Sequence, residues 1–161
     1  MMLSEKLYPQ RVFYYFEQIA AIPHGSRNTK AISDFLVNFA KEHNLVWYQD
    51  ENNNVVIVKE ASAGYEAAEP IIIQGHMDMV CEKEKGVDID FEKDGLKLYI
   101  DGDFLKAEGT TLGGDDGIAV AYALALLDSQ EIAHPKLEVV ITVDEEIGML
   151  GGKDNGKDFV T

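Results

Sequence analysis

The chain has 161 residues, enough to bury the core of one ordinary domain, and its 46% hydrophobic content excludes general disorder. Fourteen Lys and Arg against 29 Asp and Glu leave a net charge of −15, which repels phosphate backbones and anionic lipid and so argues against nucleic acid and membrane as partners. Solubility accounts for most of these carboxylates, but a few crowded together would need cations.

The opening residues have no basic patch followed by an apolar run and a small-residue cleavage site, so they do not read as a signal peptide. Residues 9–22 read as a helix, with Pro9 in its first turn and Val12, Phe13, Phe16, Ile19 and Ala20 on one face. Pro23, Gly25 and Ser26 break it. A second helix carries Ile32, Phe35, Leu36, Phe39 and Ala40 at helical spacing, and Ser26 or Asn28 is the expected N-cap. Residues 46–49 and 55–59 flank the acidic, Asn-rich turn 50–54 and predict a hairpin. An exposed loop is expected over 60–69. The continuous apolar run 71–74 has the pattern of a central strand covered on both faces. A second hairpin is expected from 96–100 and 104–107 around Asp101 and Gly102. Residues 119–127 are apolar almost all round, which predicts a buried helix beneath the sheet. The longest strongly apolar stretch, 118–127, is too short to span a bilayer. Residues 137–143 read as a second central strand, and the glycine-rich run 148–156 turns the chain away. Strands interleaved with helices predict an α/β layered fold. The single cysteine, Cys81, cannot form an internal disulfide, which fits a reducing compartment. A cytoplasmic location is the resulting expectation.

Three polar clusters fall at the ends of the buried elements. The first strand run leads into Gly75-His76-Met77-Asp78, the second into Asp144-Glu145-Glu146, and the buried helix begins with Gly113-Gly114-Asp115-Asp116-Gly117. In open α/β sheets, ligands gather at the carboxyl ends of strands. In an extended segment His76 and Asp78 share a face, so the Asp can fix the imidazole tautomer that offers its other nitrogen to a metal. Each cluster alone also has an ordinary explanation. A His two residues from an Asp occurs by chance, Asp115-Asp116 can serve a helix N-terminus, and 144–146 can be a solvated loop. Together, one imidazole, an aspartate and a glutamate supply donors suited to zinc, and a spare glutamate can take a proton from water. Asp115 has two oxygens and could bridge two ions. His24, His43 and His134 lack a comparable partner.

At these residues the sequence also resembles a known family. IIIQGHMDMV, TTLGGDDGIAVA and VVITVDEEIGMLGG, with the earlier AIPHGSRNTKAISDFL, are similar to the metallopeptidase family of aminoacylases, glutamate carboxypeptidases, tripeptidases and dipeptidases. GHMDMVCEK and GTTLGGDDG resemble its bacterial aminoacyl-histidine (Xaa-His) dipeptidase branch. The resemblance implies a three-layer α/β/α zinc-peptidase catalytic domain, of which residues 1–161 are the N-terminal part. It also implies two divalent metal ions, zinc being the expected metal. His76 would ligate the first ion, Asp115 would bridge both, and Glu146 would ligate the second. Asp78 would orient His76, and Glu145 would be the general base for hydrolysis of small dipeptides by a metal-activated water. The Asp115–Asp116 bond is often cis in such proteins. Cys81, close to the site in sequence, is read as a buried, inert thiol.

Family members also use a later acidic ligand, a histidine near the far C-terminus, and a lid domain that helps bind substrate and mediates dimerisation in many of them. The chain stops at Thr161 before all three, and Asp154 and Asp158 come too early to serve as ligands. The expected catalytic domain is therefore incomplete and the segment alone inactive, with a homodimer belonging to the complete protein. Two alternatives remain open here: a non-catalytic metal-binding or interaction module on the same fold, and another peptidase or deacylase of the family.

Overall fold

The structure, a computed structural model, describes residues 2–149. Helix α1 (Gln10–Ala20) starts after Pro9, whose carbonyl accepts the Phe13 N–H, and buries Val12, Tyr15, Phe16, Ile19 and Ala20. Helix α2 (Lys30–Glu42) buries Ile32, Leu36, Phe39 and Ala40 of the predicted stripe, with Val37 buried beside them and Phe35 only partly covered. Its N-cap is Thr29, with no side-chain capping bond. Neither Ser26 nor Asn28 caps it. Helical geometry begins at Lys30, too late for either side chain to reach the first free amides, and both are bonded elsewhere.

Strands β1 (Val46–Gln49) and β2 (Val55–Lys59) form the predicted hairpin. Its turn is held by Asp50, whose Oδ1 accepts from the Asn52 and Asn54 amides at 2.9 and 2.8 Å. Asn54 is buried, and its Oδ1 accepts the Val143 N–H at 3.0 Å, fixing the exit of the strand that carries residues 144–146. Strand β3 (Ile71–His76) follows the exposed loop, and β4 (Leu98–Asp101) and β5 (Phe104–Ala107) form a separate two-stranded sheet. The second hairpin starts later than expected because Leu96 is used differently: its N–H donates to the Ala20 carbonyl at the end of α1. Helix α3 (Gly114–Asp128) and strand β6 (Leu137–Thr142) complete the elements that build the core.

The main sheet has the order β1-β2-β6-β3, with β6 antiparallel to β2 and parallel to β3. Strand β6 is central, as its apolar run predicts. Strand β3 is not. Among the described residues it lies at the sheet edge, and Ile71 and Ile72 are about half exposed. An apolar run reports burial over part of its length and not which strands flank it, and here only Gly75 and His76 are fully covered. The three helices share one core with Val55, Ile57, Val139 and Ile141, so they cover one face of the sheet. The chain thus has an α/β layered fold, with the sheet and one helical layer described. No helix among the described residues is long and apolar enough to cross a membrane.

Candidate metal centre

The site is assembled where β3, β6 and α3 meet. Parallel pairing of β3 and β6 sets His76 opposite Thr142, so the chain leaves both strands at the same end. Gly75 allows α3 to come close: a Cβ there would lie 2.9 Å from Asp116 Oδ2 and 3.3 Å from the Ala119 Cβ. Gly113, at φ 71°, turns the chain into α3 in a conformation that side chains avoid. Asp115 and Asp116 follow with non-helical dihedrals and a cis peptide bond between them. Asp144, at φ 55°, leads into the short 3-10 turn Glu145–Ile147.

These turns bring the predicted side chains together. His76 Nε2 lies 3.0 Å from Asp115 Oδ1 and 3.9 Å from Glu145 Oε2. His76, Asp115 and Glu146 each offer a ligand atom, and these atoms lie within 4.8 Å of one another. It is the one such group among the described residues. Exposure grades across it, from buried His76 through Glu145 to a nearly free Asp115 carboxylate. The other face of His76 is fixed from below. Its Nδ1 lies 3.0 Å from the Asp78 carbonyl oxygen and 3.3 Å from Asp78 Oδ1, and its backbone N–H donates to Asp116 Oδ2. A bond from Nδ1–H to that carbonyl leaves Nε2 as the free donor atom toward Asp115. The sequence reading gave this bond to the Asp78 carboxylate. The structure gives the closer contact to the carbonyl, because the carboxylate turns toward residues 145 and 146.

Asp78 is 1% exposed, and its carboxylate accepts the Glu145 N–H at 3.1 Å, the Glu146 N–H at 3.3 Å and the Ser26 hydroxyl at 2.7 Å. One buried carboxylate therefore holds the loop that presents both glutamates. Ser26 was not legible as a site residue. It lies 52 positions from Asp78, and locally it reads as a helix breaker or as the N-cap of the second helix.

Electrostatically, His76 is the one basic group that pairs with the site's carboxylates among the described residues. Asp78, Asp115 and Glu145 have His76 as their ion-pair partner, and no Lys or Arg pairs with them among the described residues. Burial works against a protonated His76, but the Asp115 hydrogen bond and the Asp78 and Asp116 charges outweigh it and hold its pKa above the ordinary value. Desolvation, with repulsion from Asp115, raises Glu146. One imidazole nitrogen among clustered carboxylate oxygens is a donor set that fits zinc. The group borders a cleft of about 510 Å3 lined by Gln74, Asp116, Val140 and Thr142. Of the other histidines, His24 bonds the Ile22 carbonyl, His43 faces Asp128 and His134 faces the Pro135 carbonyl. Cys81 is only partly buried, where a buried thiol was expected, and burial pushes its thiol pKa up. Asp154 and Asp158 lie outside the described residues.

The chain is also similar to known proteins. The model of peptidase family M20/M25/M40 matches residues 72–159. The cytosol non-specific dipeptidase of Escherichia coli is 42% identical over 146 residues, covering 91% of this chain and 30% of that protein. The crystal structure of the aminoacylhistidine dipeptidase from Vibrio alginolyticus superposes with a TM-score of 0.90 at 40% identity, over 93% of this chain and 31% of that one. A tripeptidase from Staphylococcus aureus shares the fold, with a TM-score of 0.76 at 24% identity. The chain thus spans about a third of the length of the Escherichia coli and Vibrio alginolyticus relatives.

Proposed function

Because the chain belongs to peptidase family M20/M25/M40, we propose that the protein carrying it is a metal-dependent dipeptidase. The observation that carries this reading is the convergence of His76, Asp115 and Glu146, with His76, Asp115 and Glu145 lining one cleft. His76 would hold one divalent ion, Glu146 a second, and Asp115 both, with zinc the metal that the donors suit. When bound, zinc supplies a Lewis acid that polarises the substrate carbonyl and makes water a stronger acid. The remaining work belongs to the protein's own groups. Glu145 takes a proton from the attacking water and returns it to the departing amine, so that one amide and one water become a carboxylate and an ammonium. Asp78 holds the two glutamate amides and lies against His76, which keeps base and ligands in register.

The substrates are small unblocked dipeptides. The name of the Vibrio alginolyticus relative supports a C-terminal histidine, and that of the Escherichia coli relative supports a wider range. That second name also supports a cytoplasmic location. The share of the relatives covered supports reading residues 1–161 as the N-terminal part of a catalytic domain, with the remainder, a lid domain and a homodimer belonging to the complete protein. By itself the 161-residue segment is inactive and binds zinc weakly in this reading, since each ion would have two protein donors where catalytic zinc has three. The exposed edge of β3 favours a second reading, a non-catalytic module whose edge pairs with another strand.

A dipeptide panel on the complete gene product, with and without a chelator, tests the proposal. Hydrolysis that chelation abolishes and zinc restores is expected. Turnover unaffected by chelation would overturn the metal reading, and absence of turnover with zinc bound would favour the module.

A further inference from the structure

We infer that Ser26 is a positioning residue for the metal centre, acting through Asp78 on the loop that carries Glu145 and Glu146; the inference rests on the metal-site reading above. Residues 24–28 follow α1 and lie far from the site in sequence. In space they form a strap across its base. The His24 carbonyl accepts the Met79 N–H at 3.1 Å, and the Ser26 N–H donates to the Met79 carbonyl at 3.3 Å, so the strap runs beside the chain just after Asp78. From there Ser26 Oγ donates to Asp78 Oδ2 at 2.7 Å, and the Arg27 N–H donates to Asp144 Oδ1 at 2.6 Å. Arg27 has φ 67° and Asp144 φ 55°, so both ends of that second contact have positive φ, uncommon for side-chain-bearing residues.

The argument turns on how Asp78 is oriented. A carboxylate has two oxygens and rotates unless donors fix both. Oδ1 takes the Glu145 amide and faces His76 Nδ1, whereas Oδ2 takes the Glu146 amide at 3.3 Å and the Ser26 hydroxyl at 2.7 Å. Ser26 makes the shortest of these bonds and is the only side-chain hydroxyl among them. Without it, Oδ2 keeps one long bond, and a buried carboxylate loses a donor that offsets its desolvation. Glu145 and Glu146 receive their position from that carboxylate. Groups that hold ligands in this way commonly change metal affinity about 10–100-fold when removed.

The test compares wild type with Ser26→Ala, Ser26→Thr and Ser26→Cys in the complete gene product by amide hydrogen exchange and zinc titration. Ser26→Ala should quicken exchange at Glu145 and Glu146 while Val139 and Ile141 in β6 keep their protection. Its zinc affinity should fall about 10–100-fold. Ser26→Thr, which keeps a hydroxyl, should restore both, and Ser26→Cys, a weaker donor of similar shape, should fall between and stands in if the alanine variant does not fold. Unchanged exchange at Glu145 and Glu146, equal loss at Val139 and Ile141, failure of threonine to restore, or altered exchange with unaltered zinc affinity would each overturn the inference. If wild type binds no zinc at His76, the metal-site reading fails and the positioning claim fails with it, whereas exchange at residues 145 and 146 still reports separately whether the strap orders the loop.

Discussion

At the C-terminal end of α3, Asp128 Oδ2 lies 2.5 Å from Arg11 Nη2 and 2.8 Å from its Nε, while Oδ1 lies 2.9 Å from His43 Nε2. At the N-terminal end of the same helix, Asp115 faces His76 alone, with Glu145 and Glu146 nearby. Both ends join an aspartate to a histidine across distant parts of the chain. They differ in the guanidinium. Arg11 balances Asp128, donates to Tyr15 and lies over the Tyr14 ring, which ties α1 and α2 to α3. Burial, with the Asp128 charge, pushes the Tyr15 phenol up to about 12, so it stays neutral. No such cation serves the other end among the described residues. The contrast is between a balanced end that serves as a brace and an end, unbalanced among the described residues, where the proposed cation would bind.

The strongest way to break that contrast is to neutralise one acid at each end. Glu145→Gln in the complete, zinc-loaded protein should cut kcat about 10²–10⁴-fold, the usual contribution of a general base. Zinc affinity should stay within a few-fold of wild type, because Glu145 would move protons and is not a ligand. Asp128→Asn should leave kcat nearly unchanged. Steady-state kinetics with zinc calorimetry on both variants decides the matter, and a large kcat loss in Asp128→Asn would remove the division into brace and site.

A smaller effect is expected on stability. Asp128→Ala removes three charge-assisted bonds from a partly exposed group, and a loss of about 1–2 kcal/mol follows. Asp115→Ala in the metal-free segment should cost nothing or stabilise slightly, since it relieves repulsion on Glu146 while surrendering one bond to His76. Urea denaturation of the two variants gives both numbers. Equal destabilisation at the two ends would show that the site is braced after all.

Much of this was legible in the sequence, for identifiable reasons. The periodicity of α1 and α2, the hairpin turn at 50–54 and the apolar run of β6 report local burial, and the structure follows them. The His76, Asp115 and Glu145–Glu146 clusters were legible because each lies where an apolar element ends, and parallel pairing then carries two of them to one end of the sheet. What escaped was long-range. The edge position of β3 depends on which strands pair, and no local pattern encodes that. Ser26 and Asn54 have polar side chains in turn-like segments, where capping and solvent exposure are the ordinary uses. Their actual partners, Asp78 and Val143, are brought to them only by the completed fold.

The smallest expected effect is a difference in pH response between the two ends of α3. Desolvation opposes ionisation of Asp128, but its bonds to Arg11 and His43 outweigh this and hold its pKa below the ordinary 3.8. A depressed acid stabilises the fold above the unfolded pKa and ceases to do so as pH falls through the folded value. The brace therefore weakens only below pH 3.8. Glu146 is raised above 4.5, chiefly by desolvation and then by Asp115, so the native state binds its proton more tightly than the unfolded chain does. That contribution is complete below pH 4.5 and lost as pH rises through the folded value. His76 acts in the same sense higher up. Burial lowers its pKa, Asp115 and Asp78 raise it further, and its contribution is present below pH 6.5 and lost above. The metal-free segment should thus lose a little stability at the site end as pH climbs from 4.5 through neutrality, and at the brace end only in strong acid. Thermal melts of wild type, Glu146→Gln and Asp128→Asn across pH 3 to 8 would separate the two. Glu146→Gln should flatten the upper slope and leave the acid limb intact, whereas Asp128→Asn should do the reverse. Zinc inverts the upper slope, because its ligands must give up their protons to bind it. A site end whose stability rises with pH in the absence of metal would mean that its carboxylates are already paired, and the contrast between the two ends of α3 would not stand.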